Sequence, residues 1–345
     1  MIEPTLDGYL SSFCSHGDAG KSHIADTIRA LADAAVKVRH AAKDGALGAA
    51  FAGARGSAHA GGDVQKDLDV LADMIFLEAA RRARVAFYAS EELDKAVTIA
   101  GGFRLAIAID PLDGSSNIDT NVSIGTIFSI LPAVGDAERT FLQPGHKQLA
   151  AGFFIYGPQL ALALTLGEGA RIFVLSDQAG AFLEAYGALA IAPKTQEFAA
   201  NASNYRHWDE AVQLYVDDCV QGADGPRGKD YNMRWIASLV AETYRILIRG
   251  GVFLYPRDAR KGYGNGRLRL IYEANPIAML IEQAGGAATD GTNRILDLAP
   301  RELHQRTPLV FGSAKEVDKI ARYHLDPSAI GSRNPLFGNR GLLRA

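Results

Sequence analysis

At 345 residues the chain is longer than one typical domain and implies two, or one large α/β unit. A composition of 48% hydrophobic and 22% charged residues supplies a substantial core and leaves no segment with the make-up of disorder. The net charge of −3 argues against nucleic acid or an acidic membrane surface as the main partner, though an anionic small molecule needs only local cations.

The chain carries Cys14 and Cys219 as its only cysteines, in no C-x-x-C or zinc-type cluster. No apolar run reaches the length of a membrane span and the N-terminus lacks the layout of a signal peptide, so a reducing cytoplasm is the expected location. From Ser22, the residues Ile24, Ile28, Leu31, Ala35 and Val38 recur at helical spacing and predict an amphipathic helix that Asp44-Gly45 stops. Just before it, Gly17-Asp-Ala-Gly-Lys21-Ser22 has a misplaced first glycine for G-x-x-x-x-G-K-S and no preceding strand, so no nucleoside triphosphate site is expected there.

Residues 52–63 are rich in Gly, Ala and Ser and predict a mobile loop. A second helix follows, with Leu68, Leu71, Ile75 and Ala79 on one face and Asp63 and Asp69 flanking its start. Capping and helix-dipole electrostatics would by themselves account for those two aspartates. Val85 to Ser90 reads as a strand running into Glu91-Glu92, a pair that taken alone reads as a solvated turn.

The stretch that organises the chain comes next. Arg104-Leu-Ala-Ile-Ala-Ile109 reads as a buried strand, which Pro111 is expected to end, and it delivers Asp110 and Asp113 to one corner. Two carboxylates that close repel unless a divalent cation sits between them, and all-oxygen ligands are what Mg²⁺ or Mn²⁺ prefer. Gly114, Ser115 and Ser116 follow at once, small residues whose backbone N–H groups can approach and cradle a phosphate. On spacing alone, Asp-Pro-x-Asp is also a turn.

Short apolar runs at 123–130, 151–156, 160–164 and 171–175 predict successive strands of one extensive sheet. The character changes near Ala192-Pro193. Helical patterns return at 208–220 and 235–248, strands at 251–255 and 268–272, and a helix at 276–283 closed by Gly285-Gly286. The expected domains are 1–190, with the metal and phosphate corner, and 191–345, with the substrate anchor. Within the second, Gly266-Arg267-Leu268-Arg269-Leu270-Ile271-Tyr272-Glu273-Ala274-Asn275-Pro276 leads into the last of these helices, where Glu273 by itself could be an acidic first-turn residue.

Asp110-Pro-Leu-Asp-Gly-Ser-Ser-Asn-Ile-Asp119 resembles the signature of the lithium-sensitive, metal-dependent phosphatase superfamily, and in this fuller form class I fructose-1,6-bisphosphatase. The Gly266–Pro276 segment resembles that family's second signature, and its Tyr-Glu-x-Asn-Pro argues against inositol monophosphatase. The resemblance runs in motif order from roughly residue 20 to 325. It implies an α/β fold of alternating helix and sheet layers with the metal site between two domains. It implies Glu91, Asp110, Asp113, Glu273 and the carbonyl of Leu112 as ligands for two or three Mg²⁺ ions, or Mn²⁺ in their place, with Asp63, Asp69 and Glu92 assisting metal and water. It further implies phosphoryl binding at Gly114, Ser115 and Ser116. A second phosphate anchor would comprise Asn201, Tyr205, Tyr255, Arg267 and an Arg234 lent across the interface of a homotetramer.

This chain departs from the family pattern at the anchor. Ala202-Ser203 replaces Glu-Gly after Asn201, Trp235 replaces a tyrosine, and Arg267 replaces a lysine with a wider, forked cation. Sedoheptulose 1,7-bisphosphate is therefore a competing or second substrate, and a catalytically silent sugar-phosphate sensor is the remaining reading. At the places where AMP-inhibited members bind AMP, the chain has Asp18-Ala-Gly-Lys21, Arg104-Leu105 and Pro132, so weak or absent AMP inhibition is expected.

Overall fold

The computed structural model describes residues 4–14, 18–53 and 62–325, and for residues 44–53 and 62–67 the course of the backbone alone. Three helices open the chain: α1 (Leu6–Phe13), α2 (Ala19–Gly53) and α3 (Gly62–Arg82). The strands β1 (Phe87–Ser90), β2 (Val97–Thr98), β3 (Leu105–Asp113), β4 (Ile124–Pro132), β5 (Ala150–Tyr156), β6 (Leu160–Thr165), β7 (Ala170–Ser176) and β8 (Ala181–Tyr186) follow, with the short α4 (Ala137–Phe141) after β4. They form one sheet in the order β2-β1-β3-β4-β5-β6-β7-β8, parallel only between β1 and β3.

The rest of the chain adds β9 (Glu197–Ala200), α5 (Glu210–Val220), β10 (Asn232–Met233), α6 (Leu239–Arg249), β11 (Val252–Tyr255), β12 (Leu268–Arg269), α7 (Asn275–Gln283), β13 (Ala287–Thr289), β14 (Arg306–Thr307), β15 (Leu309–Gly312) and α8 (Ala314–Leu325). A second sheet runs β10-β9-β11-β15-β13, and β12 with β14 makes a separate antiparallel pair.

Side-chain alternation stacks these elements. Leu105, Ile107 and Ile109 of β3, with Phe128, Phe154 and Phe173, meet Ile28 and Leu31 of α2 and Phe76 of α3 on one face of the first sheet. On its other face Ile127, Phe153 and Ile172 meet α6 and α7, which also cover Phe253 and Phe311 of the second sheet. The far side of that sheet, through Phe198, Leu254 and Val310, is covered by α5 and α8. The molecule is thus a stack of alternating helix and sheet layers, as the resemblance implied.

Local expectations were corrected at several points. α2 does not stop at Asp44-Gly45 but continues to Gly53, since one glycine costs a helix only about 1 kcal/mol and alanines surround it. The loop expected at 52–63 falls largely outside the described residues. In α3 the inward positions are Ala72, Phe76 and Ala79, and Leu71 is 40% exposed. β8 had no counterpart in the sequence reading. Pro111 does not end β3: Asp110 pairs with Ile127 and Asp113 with Gly125, so Pro111 and Leu112 together face Thr126 in a bulge. Likewise the strand expected at 268–272 ends at Arg269, and Leu270–Ala274 wind into a π-helical turn that leads into α7.

Candidate active site

The parallel pairing of β1 with β3 sets Ser90 beside Ile109, so the next residues, Glu91 just past the end of β1 and Asp110 within β3, come side by side. The bulge, held by the Thr126 hydroxyl donating to the Pro111 carbonyl at 2.8 Å, returns Asp113 to the same end. Glu273 arrives from the π-helical turn, a feature that recurs at functional sites. One carboxylate oxygen each from Asp110, Asp113 and Glu273 lie within 4.8 Å of one another, and all three residues are buried.

Little offsets this concentration of acid. The Leu112 N–H donates to Asp110 at 3.0 Å, the Val240 N–H to Asp113 at 3.3 Å and the Arg269 N–H to Glu273 at 2.5 Å. Arg269 Nε stands 3.5 Å from Glu91. Burial, followed by repulsion from Glu91 and Asp113, pushes Asp110 and Glu273 well above the usual carboxylate range. Burial also pushes Asp113 up to about 7, against the pull of the Val240 N–H. On α3, burial and the neighbouring Glu92 raise Asp69 to about 6, and its Oδ1 is buried with no hydrogen-bond partner. Glu92 is raised by burial and by Glu91. Buried acids that repel, a carboxylate oxygen left without a donor and an all-oxygen donor set fit a hard divalent cation. Asp63 lies in the first turn of α3, where its side chain is outside the described residues.

The turn expected to cradle a phosphate follows directly. Gly114 adopts φ 75, the left-handed region that glycine enters without penalty, and caps the 3-10 turn Ser115–Asn117. Ser115 beside Asp69 pulls that carboxyl's pKa down, against its burial, and Asn117 Nδ2 donates to the Ala237 carbonyl at 2.9 Å, tying the turn to the segment that carries Arg234. Of the Gly17–Ser22 string, Gly17 lies outside the described residues, and Asp18 accepts the Gly20 and Lys21 N–H groups at the start of α2, an ordinary acidic cap.

The expected anchor residues are distributed over several elements. Tyr255 ends β11, its ring tilted on Trp235 and Phe253, and Trp235 stacks on Phe253 at 5.9 Å. Arg267 stacks 3.8 Å above the Tyr263 ring and 5.9 Å from that of Tyr255. Arg234 is half exposed, 3.7 Å from Glu197. Asn201 accepts from Ser203, and the Tyr205 hydroxyl donates to Asp217 at 2.8 Å. The 202–207 turn meets the Arg267 loop through neither of these but through Asn204, which accepts from Arg260, and the His207 carbonyl, which accepts from the Ala259 N–H at 2.9 Å.

Sequence reasoning passed over Asp73, buried and hydrogen-bonded by Tyr88; Arg269; and Asp258, Arg260 and Tyr263 around Arg267. Arg269 had a legible signal, since it stands four residues before Glu273 in the segment that already carried a candidate ligand. The others had none.

Layered sheets around a buried acidic corner that adjoins a turn of small residues are the architecture of the metal-dependent sugar phosphatases, the class that similarity to known proteins supports. Family models for the N-terminal and C-terminal domains of fructose-1-6-bisphosphatase match residues 16–186 and 191–325. The class 1 fructose-1,6-bisphosphatase of Rhizobium meliloti is 61% identical over the whole of both chains, and one from Cereibacter sphaeroides is 51% identical over 97% of this chain and 100% of its own. The holo crystal structure of Leishmania major fructose-1,6-bisphosphatase superposes with a TM-score of 0.81 at 30% identity, covering 94% of this chain and 99% of the other. The chain belongs to the class 1 fructose-1,6-bisphosphatase family. Among the described residues no helix is long and apolar enough to cross a membrane.

Proposed function

We propose that the chain hydrolyses the 1-phosphate of D-fructose 1,6-bisphosphate to fructose 6-phosphate and inorganic phosphate. The observation that carries this is the buried set Asp110, Asp113 and Glu273, with ligand atoms within 4.8 Å, directly before the Gly114 turn. These three, with Glu91 and the Leu112 carbonyl, would hold two or three Mg²⁺ ions, or Mn²⁺. The bound metal supplies positive charge for the phosphoryl oxygens and lowers the pKa of the attacking water. Glu92 and Asp69 orient that water and take its proton, with Asp63 assisting. The amides of Gly114, Ser115 and Ser116 bind the phosphoryl group as the bond from phosphorus to the C1 oxygen breaks and that oxygen gains a proton.

Asn201, Tyr205, Tyr255 and Arg267 take the second phosphate, and Arg234, half exposed beside Glu197, is lent to a partner subunit within a homotetramer. Residues 1–190 act as the metal and phosphoryl half and 191–345 as the sugar half. The reaction would serve gluconeogenesis or the Calvin cycle in the cytoplasm, without AMP inhibition. A second reading, hydrolysis of sedoheptulose 1,7-bisphosphate as well, is favoured by Trp235, whose indole is folded into the Phe253 stack beside Tyr255.

Phosphate release with Mg²⁺ from fructose 1,6-bisphosphate, sedoheptulose 1,7-bisphosphate and inositol 1-phosphate tests both. Preference for the first is expected. Comparable rates on the first two would establish the dual reading, and no release from any would favour a sugar-phosphate sensor on the same scaffold.

A further inference from the structure

The loop between β11 and β12 sets two arginines on one buried carboxylate. Asp258 accepts from Arg260 Nε at 3.0 Å and Nη2 at 2.6 Å, while Arg267 Nη2 stands 3.7 Å away. The Tyr263 ring touches both cations, its centroid 5.2 Å from the Arg260 guanidinium and 3.8 Å from that of Arg267. Arg260 Nη2 also donates to Asn204 Oδ1 at 2.8 Å, which joins this loop to the 202–207 turn.

A single carboxylate cannot neutralise two guanidiniums, and the distances show how it is divided. The two short, charge-assisted bonds go to Arg260. Arg267 keeps its positive charge and is oriented by the ring beneath it. We infer that Arg260 is a positioning residue: by occupying Asp258 it leaves Arg267 free to meet the substrate phosphate remote from the metal corner, with Tyr263 fixing its direction. The inference rests on the reading that Arg267 binds that phosphate. Without Arg260, the bare Asp258 carboxylate would draw Arg267 in and occupy it.

The test compares steady-state hydrolysis of fructose 1,6-bisphosphate by wild type, Arg260→Ala, Asp258→Asn and the double variant. Asparagine retains the oxygen that accepts the Arg260 backbone N–H at 3.0 Å. Arg260→Ala should raise KM about tenfold while kcat changes less than about threefold, and adding Asp258→Asn should return KM to within about threefold of wild type. A double variant as poor as Arg260→Ala, or an unchanged KM in Arg260→Ala, overturns the inference, because a merely structural role would not be rescued by removing a second charge.

Should Arg260→Ala fail to fold, Asp258→Asn decides alone: a KM at or below wild type supports the inference and a clearly higher one overturns it. A wild type that releases no phosphate would defeat the substrate reading instead. Calorimetric binding of fructose 6-phosphate to the same proteins then tests the charge division, with the same order of affinities expected.

Discussion

Asp113 carries the cost of the acidic corner in a single side chain. Its pKa of about 7 in the fold lies above the unfolded value near ~4, so the stability it contributes is complete below that lower value and lost as pH rises through 7. At pH 8 and without metal the penalty is on the order of 4 kcal/mol. Asp113→Asn keeps an oxygen for the Val240 N–H and removes the charge. In the presence of chelator it should therefore raise Tm by several degrees at pH 8 and much less at pH 5, while Mg²⁺-dependent hydrolysis falls about a hundredfold or more. For the wild type, protons and Mg²⁺ compete for the same oxygens, so the rise in Tm on adding Mg²⁺ should be larger at pH 8 than at pH 6. Thermal scans with chelator and with Mg²⁺ at these pH values check both, and a wild-type Mg²⁺ effect independent of pH would contradict the assigned corner.

At the scale of elements, the site is built where regular structure is interrupted. The β3 bulge re-aims Asp113 and the π-helical turn carries Glu273 inward, yet both segments read from the sequence as simpler objects: a strand cut short by Pro111 and a strand continued to Tyr272. The residues of both were legible, but the backbone path was not, because a bulge is chosen by the partner strand that pairs with it. The β12–β14 pair shows a comparable constraint at Gly266. It has φ 80, and an added Cβ would lie 2.2 Å from the Thr307 carbonyl carbon. Gly266→Ala would have to push the loop off β14 and move Arg267 with it. A loss of about 2–4 kcal/mol in denaturant melts and a raised KM for the bisphosphate are expected.

At the scale of the molecule, the helix–sheet stack places the acidic corner where α3, β1, β3 and the turn before α7 converge. AMP response is a property at this scale, since an effector must be bound far from the corner it controls. The start of α2 is already occupied by its own anion, Asp18, which accepts two N–H groups there, and this disfavours a phosphate in the same place. Phosphate-release assays should show no inhibition by AMP in the micromolar range, and inhibition there would refute the expectation. The sequence by itself determined the acidic signature, the small residues after it and the order of apolar runs, because these depend on residue type and short spacing. Only the tertiary structure decided how Asp258 is shared between Arg260 and Arg267, which depends on the path of their loop, and that the Val240 N–H reaches Asp113, because those two residues are far apart in the chain and meet only when the layers pack.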